Sequence, residues 1–335
     1  MSAAMFLVCL AGSPNWDIRL DLKESFAHPQ CERITGIAWL DAERLVATTS
    51  SGDVVCHSLE GQLPVWTYHS EVPVESCGEQ RSGDCVMTLR EDGSVLALST
   101  SGRKVTELSL SSFQRLCRNP NATPWRVRTG SAGLVYVADL SAKNGHVHVL
   151  NSKLTKLVKT VQLQEMARDL YVSKKGDLVT LEGREYIKVQ SLEGNAVVTM
   201  GRQPNIPFER NLGHVPHASH VKLAGPSVVV SSWDRPLEKG GVKIYDIPTR
   251  RVKEIPGKNS AMVIDVYVRE HINLIVSSGS RAHLQLFNIS GDLLAEATGS
   301  GHDWIVRFSP DGQNIAVARD DEVWVYQILK SDQKK

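Results

Sequence analysis

The chain has 335 residues, 41% of them hydrophobic, which is ample for two ordinary domains or one large all-β domain and excludes disorder, collagen and coiled coil. Lys and Arg number 38 against 37 Asp and Glu, so overall charge gives no case for a polyanion binder or a membrane-surface protein. The balance hides a gradient: residues 1–114 carry 8 basic and 15 acidic side chains, residues 115–210 carry 15 and 8, and residues 211–335 carry 15 and 14. Such an asymmetry points to an interaction surface in the basic middle of the chain.

The N-terminal "MSAAMFLVCLAG" has an apolar core from Met5 to Ala11 without a basic flank, too short for a membrane span and lacking the charged start of a secretory signal. "DIRLDLKES" follows from Asp17. Its alternation places Ile18, Leu20 and Leu22 inward and Arg19, Asp21 and Lys23 outward, the pattern of a half-exposed outer strand.

From Ile34 onward the chain repeats short strands of period two, broken by Gly, Asp, Asn and Ser turns. The clearest unit is the last, "WIVRFSPDGQNIAVARDDEVWVYQIL" from Trp304 to Leu329, which reads as strand, Asp-Gly turn, strand, acidic turn, strand. Comparable units begin near residues 34, 75, 125, 168, 220, 264 and 304. Seven repeats of some forty to fifty residues, each too small to bury its own faces, predict an all-β, seven-bladed β-propeller. Helical periodicity is nearly absent, which argues against an α/β enzyme.

The seventh unit contains three strands before the polar tail "KSDQKK", so its outer strand must come from elsewhere. An N-terminal strand, either "DIRLDLKES" or "MFLVCLAG", is expected to close the ring and remove the exposed sheet edge. The organisation is then residues 1–33 as closing strand and linker, 34–329 as seven blades, and 330–335 as tail.

"LVYVADLSAKNGHVHVLN" (134–151) and "RAHLQLFNISGDLLAEATGSG" (281–301) resemble NHL repeats, while "VRFSPDGQNIAVA" and "VKIYDI" resemble WD repeats without the full Gly-His to Trp-Asp pair. The NHL resemblance implies a binding module of the kind carried at the end of tripartite-motif ubiquitin ligases. It therefore suggests substrate recognition for a ligase, and it brings RNA binding into view as an alternative.

No GxGxxG, P-loop, HExxH, GxSxG or EF-hand pattern is present. Propeller enzymes of the lactonase type gather metal ligands at the mouth of the central channel, one from each inner strand. The residues just before the first apolar position of each inner strand are Gly36, Ser76, Arg126, Asp169, His220, Asp265 and Ile305. Asp169, His220 and Asp265 would form a hard-metal set for a hydrolase; the competing reading is an ion-pair network in which Arg126 neutralises Asp169. His214, His217 and His220 lie three residues apart, but Pro216 breaks any helix that would align them, and they read as loop histidines.

Binding residues concentrate on long loops carried by a rigid frame. Three such loops, at 138–146, 201–217 and 231–241, belong to blades three to five and emerge on one face. They offer Lys143, Arg202, Arg210, Arg235 and Lys239 as cations and Phe208 and Trp233 as apolar anchors, the residue types of protein hot spots and also of single-stranded RNA contacts. Asp139, Glu209, Asp234 and Glu238 interleave with them and weaken the RNA case. The six cysteines, Cys9, Cys31, Cys56, Cys77, Cys85 and Cys117, show no CxxC pair or zinc spacing and are expected to be reduced thiols of a cytoplasmic protein. The expectation is a non-enzymatic scaffold with a protein partner and no cofactor, membrane or DNA.

Overall fold

The middle strands of each repeat are nearly continuous runs of Val, Ile, Leu and Ala, a pattern that requires burial on both faces. In the computed structural model they have it: every residue of Val135–Asp139, Leu178–Glu182, Leu274–Gly279 and Asn314–Arg319 is buried. The structure describes residues 17–331 except 62, 79–84, 131–132, 141–144, 174–175, 183–185, 191–195, 202–217, 225–226, 233–240, 250, 257–262, 270–273, 280–283 and 298–302.

The strands form seven four-stranded antiparallel sheets arranged as a ring, a seven-bladed β-propeller. The inner strands are Ile34–Trp39, Val74–Cys77, Pro124–Thr129, Ala167–Val172, Ala218–Ala224, Val263–Arg269 and Asp303–Phe308. Each contacts the next in chain order, and the seventh returns to the first. Outer strands have one partner fewer, and Leu157–Gln162 accordingly alternates between partly covered and exposed positions. The apolar cores lie between blades: one cluster joins Tyr171, Val179 and Leu181 of blade 4 to Val221 and Val228 of blade 5.

One element departs from the all-strand expectation. A helix, α1 (Leu110–Cys117), sits between blades 2 and 3. The Ser109 hydroxyl accepts the Ser112 N–H at its start, and Arg118 ends it in the left-handed region. Phe113 is its fully buried residue and packs into the core between those blades.

Closure occurs through "DIRLDLKES". Asp17–Ala27 pairs antiparallel with Glu322–Ser331 as the outermost strand of blade 7; "MFLVCLAG" lies outside the described residues. The expected alternation holds for only half of this strand. Ile18 is buried and Leu20 partly so, both against the core between blades 6 and 7. Leu22, opposite Tyr326 in the same register, is 49% exposed; a register shift between Leu22 and Glu24 then turns the side chains that follow to the other face. Phe26 consequently packs among Ile34, Trp39 and Leu45 of blade 1 and Ala316 and Val325 of blade 7. Main-chain bonds continue the seam: His28 N–H donates to Asp321 O at 2.8 Å and Ile34 N–H to Asp320 O at 2.7 Å. The N-terminal strand therefore both completes the last blade and ties it to the first.

Five cysteines, Cys31, Cys56, Cys77, Cys85 and Cys117, are free thiols. No helix among the described residues is long and apolar enough to cross a membrane.

Candidate functional site

Antiparallel pairing places the start of each inner strand, the end of the second, the start of the third and the end of the fourth on the same face of the ring. On that face every inner strand carries a register shift at the same place, next to Gly36, Ser76, Arg126, Asp169, His220, Asp265 and Ile305. The seven positions aligned from sequence are thus structurally equivalent, and each lies at a bulge, the kind of kink that re-aims side chains at a rim. At Gly36 a Cβ would come within 2.6 Å of the Cys77 backbone nitrogen, so blade 1 admits only glycine there.

Of the proposed metal set, Asp169 is fully buried, and both its oxygens are engaged. Oδ1 accepts from Arg128 Nη2 at 3.1 Å, and Oδ2 accepts the Val221 N–H of blade 5 at 3.1 Å. Its ion-pair partner is Arg128, where the sequence suggested Arg126. The Arg126 guanidinium lies 4.7 Å from the Trp125 ring. The charge of Arg126 also draws down the Glu75 carboxyl, although burial outweighs it and Glu75 titrates above its ordinary value. His220 and Asp265 occupy strand positions opposite Ser231 and Ser278, and their side chains lie outside the described residues.

Two residues beyond each bulge is a second equivalent set, which the sequence reading missed: Ala38, Gly78, Arg128, Tyr171, Lys222, Tyr267 and Arg307. Over blades 3 to 7 cations alternate with tyrosines, and all five are buried. Lys222 Nζ lies 5.4 Å from the Tyr171 ring and 5.5 Å from that of Tyr267, and the Arg307 guanidinium lies 5.3 Å from Tyr267. Lys222 of blade 5 thus bridges the tyrosines of its two neighbouring blades. Cation–π attraction strengthens when water is excluded, so these buried groups stabilise one another across blades 4 to 7. The signal was in the sequence at a fixed offset from the aligned positions, but only the register shows that these residues meet.

Two more buried carboxylates lie on the same face. Glu182, the last residue of its strand, accepts the Gln164 N–H at 2.6 Å and the Thr180 hydroxyl at 3.0 Å, and burial raises its pKa. Asp139 holds the equivalent position in blade 3. Its Oδ1 accepts the His146 N–H at 3.0 Å, and its Oδ2 lies 2.9 Å from His148 Nε2. The alternation in "HVHVL" (146–150) puts both imidazoles on one side of the third strand, a signal that the sequence reading did not use.

The seven expected binding residues, Lys143, Arg202, Phe208, Arg210, Trp233, Arg235 and Lys239, lie outside the described residues, as do His214 and His217. The strand ends that carry their segments are described: Asp139 and His146, Gly201 and Ala218, Ser232 and Gly241. By strand direction all six belong to the face just described.

No family model and no curated protein matches the chain, so the likeness to NHL and WD repeats rests on strand and turn spacing. What stands is the class: a seven-bladed β-propeller closed by an N-terminal strand, a fold commonly used as a protein-interaction scaffold.

Proposed function

We propose that the chain is a non-enzymatic interaction scaffold that binds a protein partner through the face carrying the loops of blades 3 to 5. The observation that supports this reading is the state of the axis. Where a propeller hydrolase needs an open set of ligands, Asp169 is consumed by Arg128 and the Val221 N–H, and Tyr171, Lys222, Tyr267 and Arg307 pack on one another. The strand ends that carry the long connections lie on that same face. The likeness of 134–151 and 281–301 to NHL repeats favours recruitment to a ubiquitin ligase, and the five free thiols favour a cytoplasmic setting.

The test is capture by the full chain and by Trp233→Ala, with bound proteins and nucleic acids both identified. A hot-spot tryptophan carries on the order of 2 kcal/mol, so the variant should lose its main protein partner. Binding that survives Trp233→Ala, Phe208→Ala and the arginine changes would move the site off this face. A steep fall of log affinity with log salt would instead favour phosphate contacts and RNA.

A further inference from the structure

Among the described residues, one group of at least three His, Cys, Asp or Glu side chains brings its donor atoms within reach of a single ion: Asp139, His146 and His148, all within 4.8 Å of one another. We propose that these three residues bind one divalent transition-metal ion, best matched by zinc, with the fourth position left to water.

The hairpin of blade 3 builds the set. Asp139 ends one strand, and His146 and His148 stand on the next at period two, so backbone pairing fixes three donors before any ion arrives. Ligand atoms around a tetrahedral zinc, with bonds of 2.0 to 2.2 Å, lie about 3.3 Å apart. His148 Nε2 is 2.9 Å from Asp139 Oδ2, and His146 Nδ1 is 3.6 Å from Asp139 Oδ1. The two distances run to different oxygens of Asp139, so gathering the donors around one ion takes a turn of the carboxylate as well as small shifts of the imidazoles; all three donor atoms already lie within 4.8 Å of one another. The second distance is too long for a hydrogen bond, while the His146 ring stacks on that of His148 with centroids 5.7 Å apart, which keeps both imidazoles beside the carboxylate.

The surroundings fit the same purpose. Thr160 Oγ1 lies 3.1 Å from His148 Nδ1. With Nε2–H donating to Asp139, the threonine hydroxyl donates to Nδ1. When an ion takes the Nε2 lone pair, the single imidazole proton resides on Nδ1 and donates to Thr160, the outer-shell arrangement usual for a metal-bound histidine. Phe113 of α1 packs edge-on against His148 with centroids 5.3 Å apart, which holds the ring. Asp139 and His148 are buried, whereas the His146 side chain is 26% exposed and gives the ion its way in. Two imidazoles and one carboxylate suit zinc better than magnesium or calcium, which prefer all-oxygen shells.

The experiment uses the full chain, stripped with a chelator and titrated with Zn²⁺ by calorimetry. One equivalent should bind, and zinc should raise the melting temperature. His146→Ala, at a partly exposed strand end, should keep the fold, weaken zinc by well over tenfold and abolish the thermal shift. Thr160→Val leaves all three ligands in place and should weaken zinc about 10- to 100-fold. Absence of stoichiometric binding by the wild-type chain, or the same affinity in wild type and both variants, would overturn the proposal.

Discussion

Two histidine pairs, one at the closing seam and one in blade 3, show how the company of a carboxylate decides what a covered imidazole is for. At the seam, His57 Nε2 lies 3.1 Å from His28 Nε2 and Phe26 stacks on His57 at 4.3 Å. Burial, helped by His28, pushes His57 down to about 3, and burial lowers His28 as well despite the charges of Asp53 and Asp321. In blade 3 the carboxylate of Asp139 reaches both rings, and the same residue type becomes a candidate ligand set. The first pair fills a joint between blades; the second stands with a buried carboxylate on the face that carries the proposed site.

The joint itself should give the largest effect. Deleting residues 1–27 removes the outer strand of blade 7 and exposes its last strand as an unpaired edge. The truncated chain should aggregate or lose its cooperative melt, and a melt like that of the full chain would mean that the ring holds without this strand. A gentler version is Phe26→Ala, which empties a position 4% exposed between blades 7 and 1. It should cost about 3 to 5 kcal/mol in urea unfolding; a cost below about 1 kcal/mol would show that Phe26 does not pin the seam.

Next comes the acid sensitivity of the seam pair. His57 takes a proton near its ordinary value of 6.5 when unfolded but only near 3 when folded, so below pH 6.5 the unfolded chain binds more protons. The stability from keeping His57 neutral is complete above pH 6.5 and is lost progressively as pH falls toward 3. At pH 5 the loss is about 2 kcal/mol. Urea midpoints at pH 7 and pH 5 should show it, and His57→Leu should remove most of the difference. An equal acid loss in wild type and variant would place the sensitivity elsewhere.

Much of the architecture was legible because each strand announces itself locally: alternation, Asp-Gly turns and a fixed period need no knowledge of partners. Repeat number, unit order and closure by an N-terminal strand followed from these, whereas the choice of Asp17–Ala27 for that strand came only with the pairing. What depended on pairing was not legible. Arg126 and Arg128 are two residues apart in unbroken register, so alternation gives both the same face, and only the packing of blade 3 against blade 4 shows that Arg128 meets Asp169. The axis set of Arg128, Tyr171, Lys222, Tyr267 and Arg307 sits at one repeat position, yet charge and aromaticity differ from blade to blade, so no shared letter marks it. Helix α1 was lost in the longer spacing between the second and third units, although the Ser109 cap and the buried Phe113 were there to read. The HxH of blade 3 was hidden because attention to "ADLSAKNGH" as a loop cut the hairpin between Asp139 and His146.

The smallest effect decides between the two readings of the closing strand. Strict alternation along "DIRLDLKES" would bury Leu22 with Ile18 and Leu20, and Leu22→Ser would then cost about 2 kcal/mol or more through lost apolar burial. The side chain is 49% exposed just before the register shift, and a substitution at such a surface position stays within about 0.5 kcal/mol. Ile18→Ser, four residues earlier at a position 8% exposed, provides the internal standard and should cost several times more. Two urea curves therefore show how far cover extends along the strand: a small change at Leu22 beside a large one at Ile18 means that burial on this face ends before the shift, and comparable large losses at both would mean that the face is covered along its whole alternating stretch.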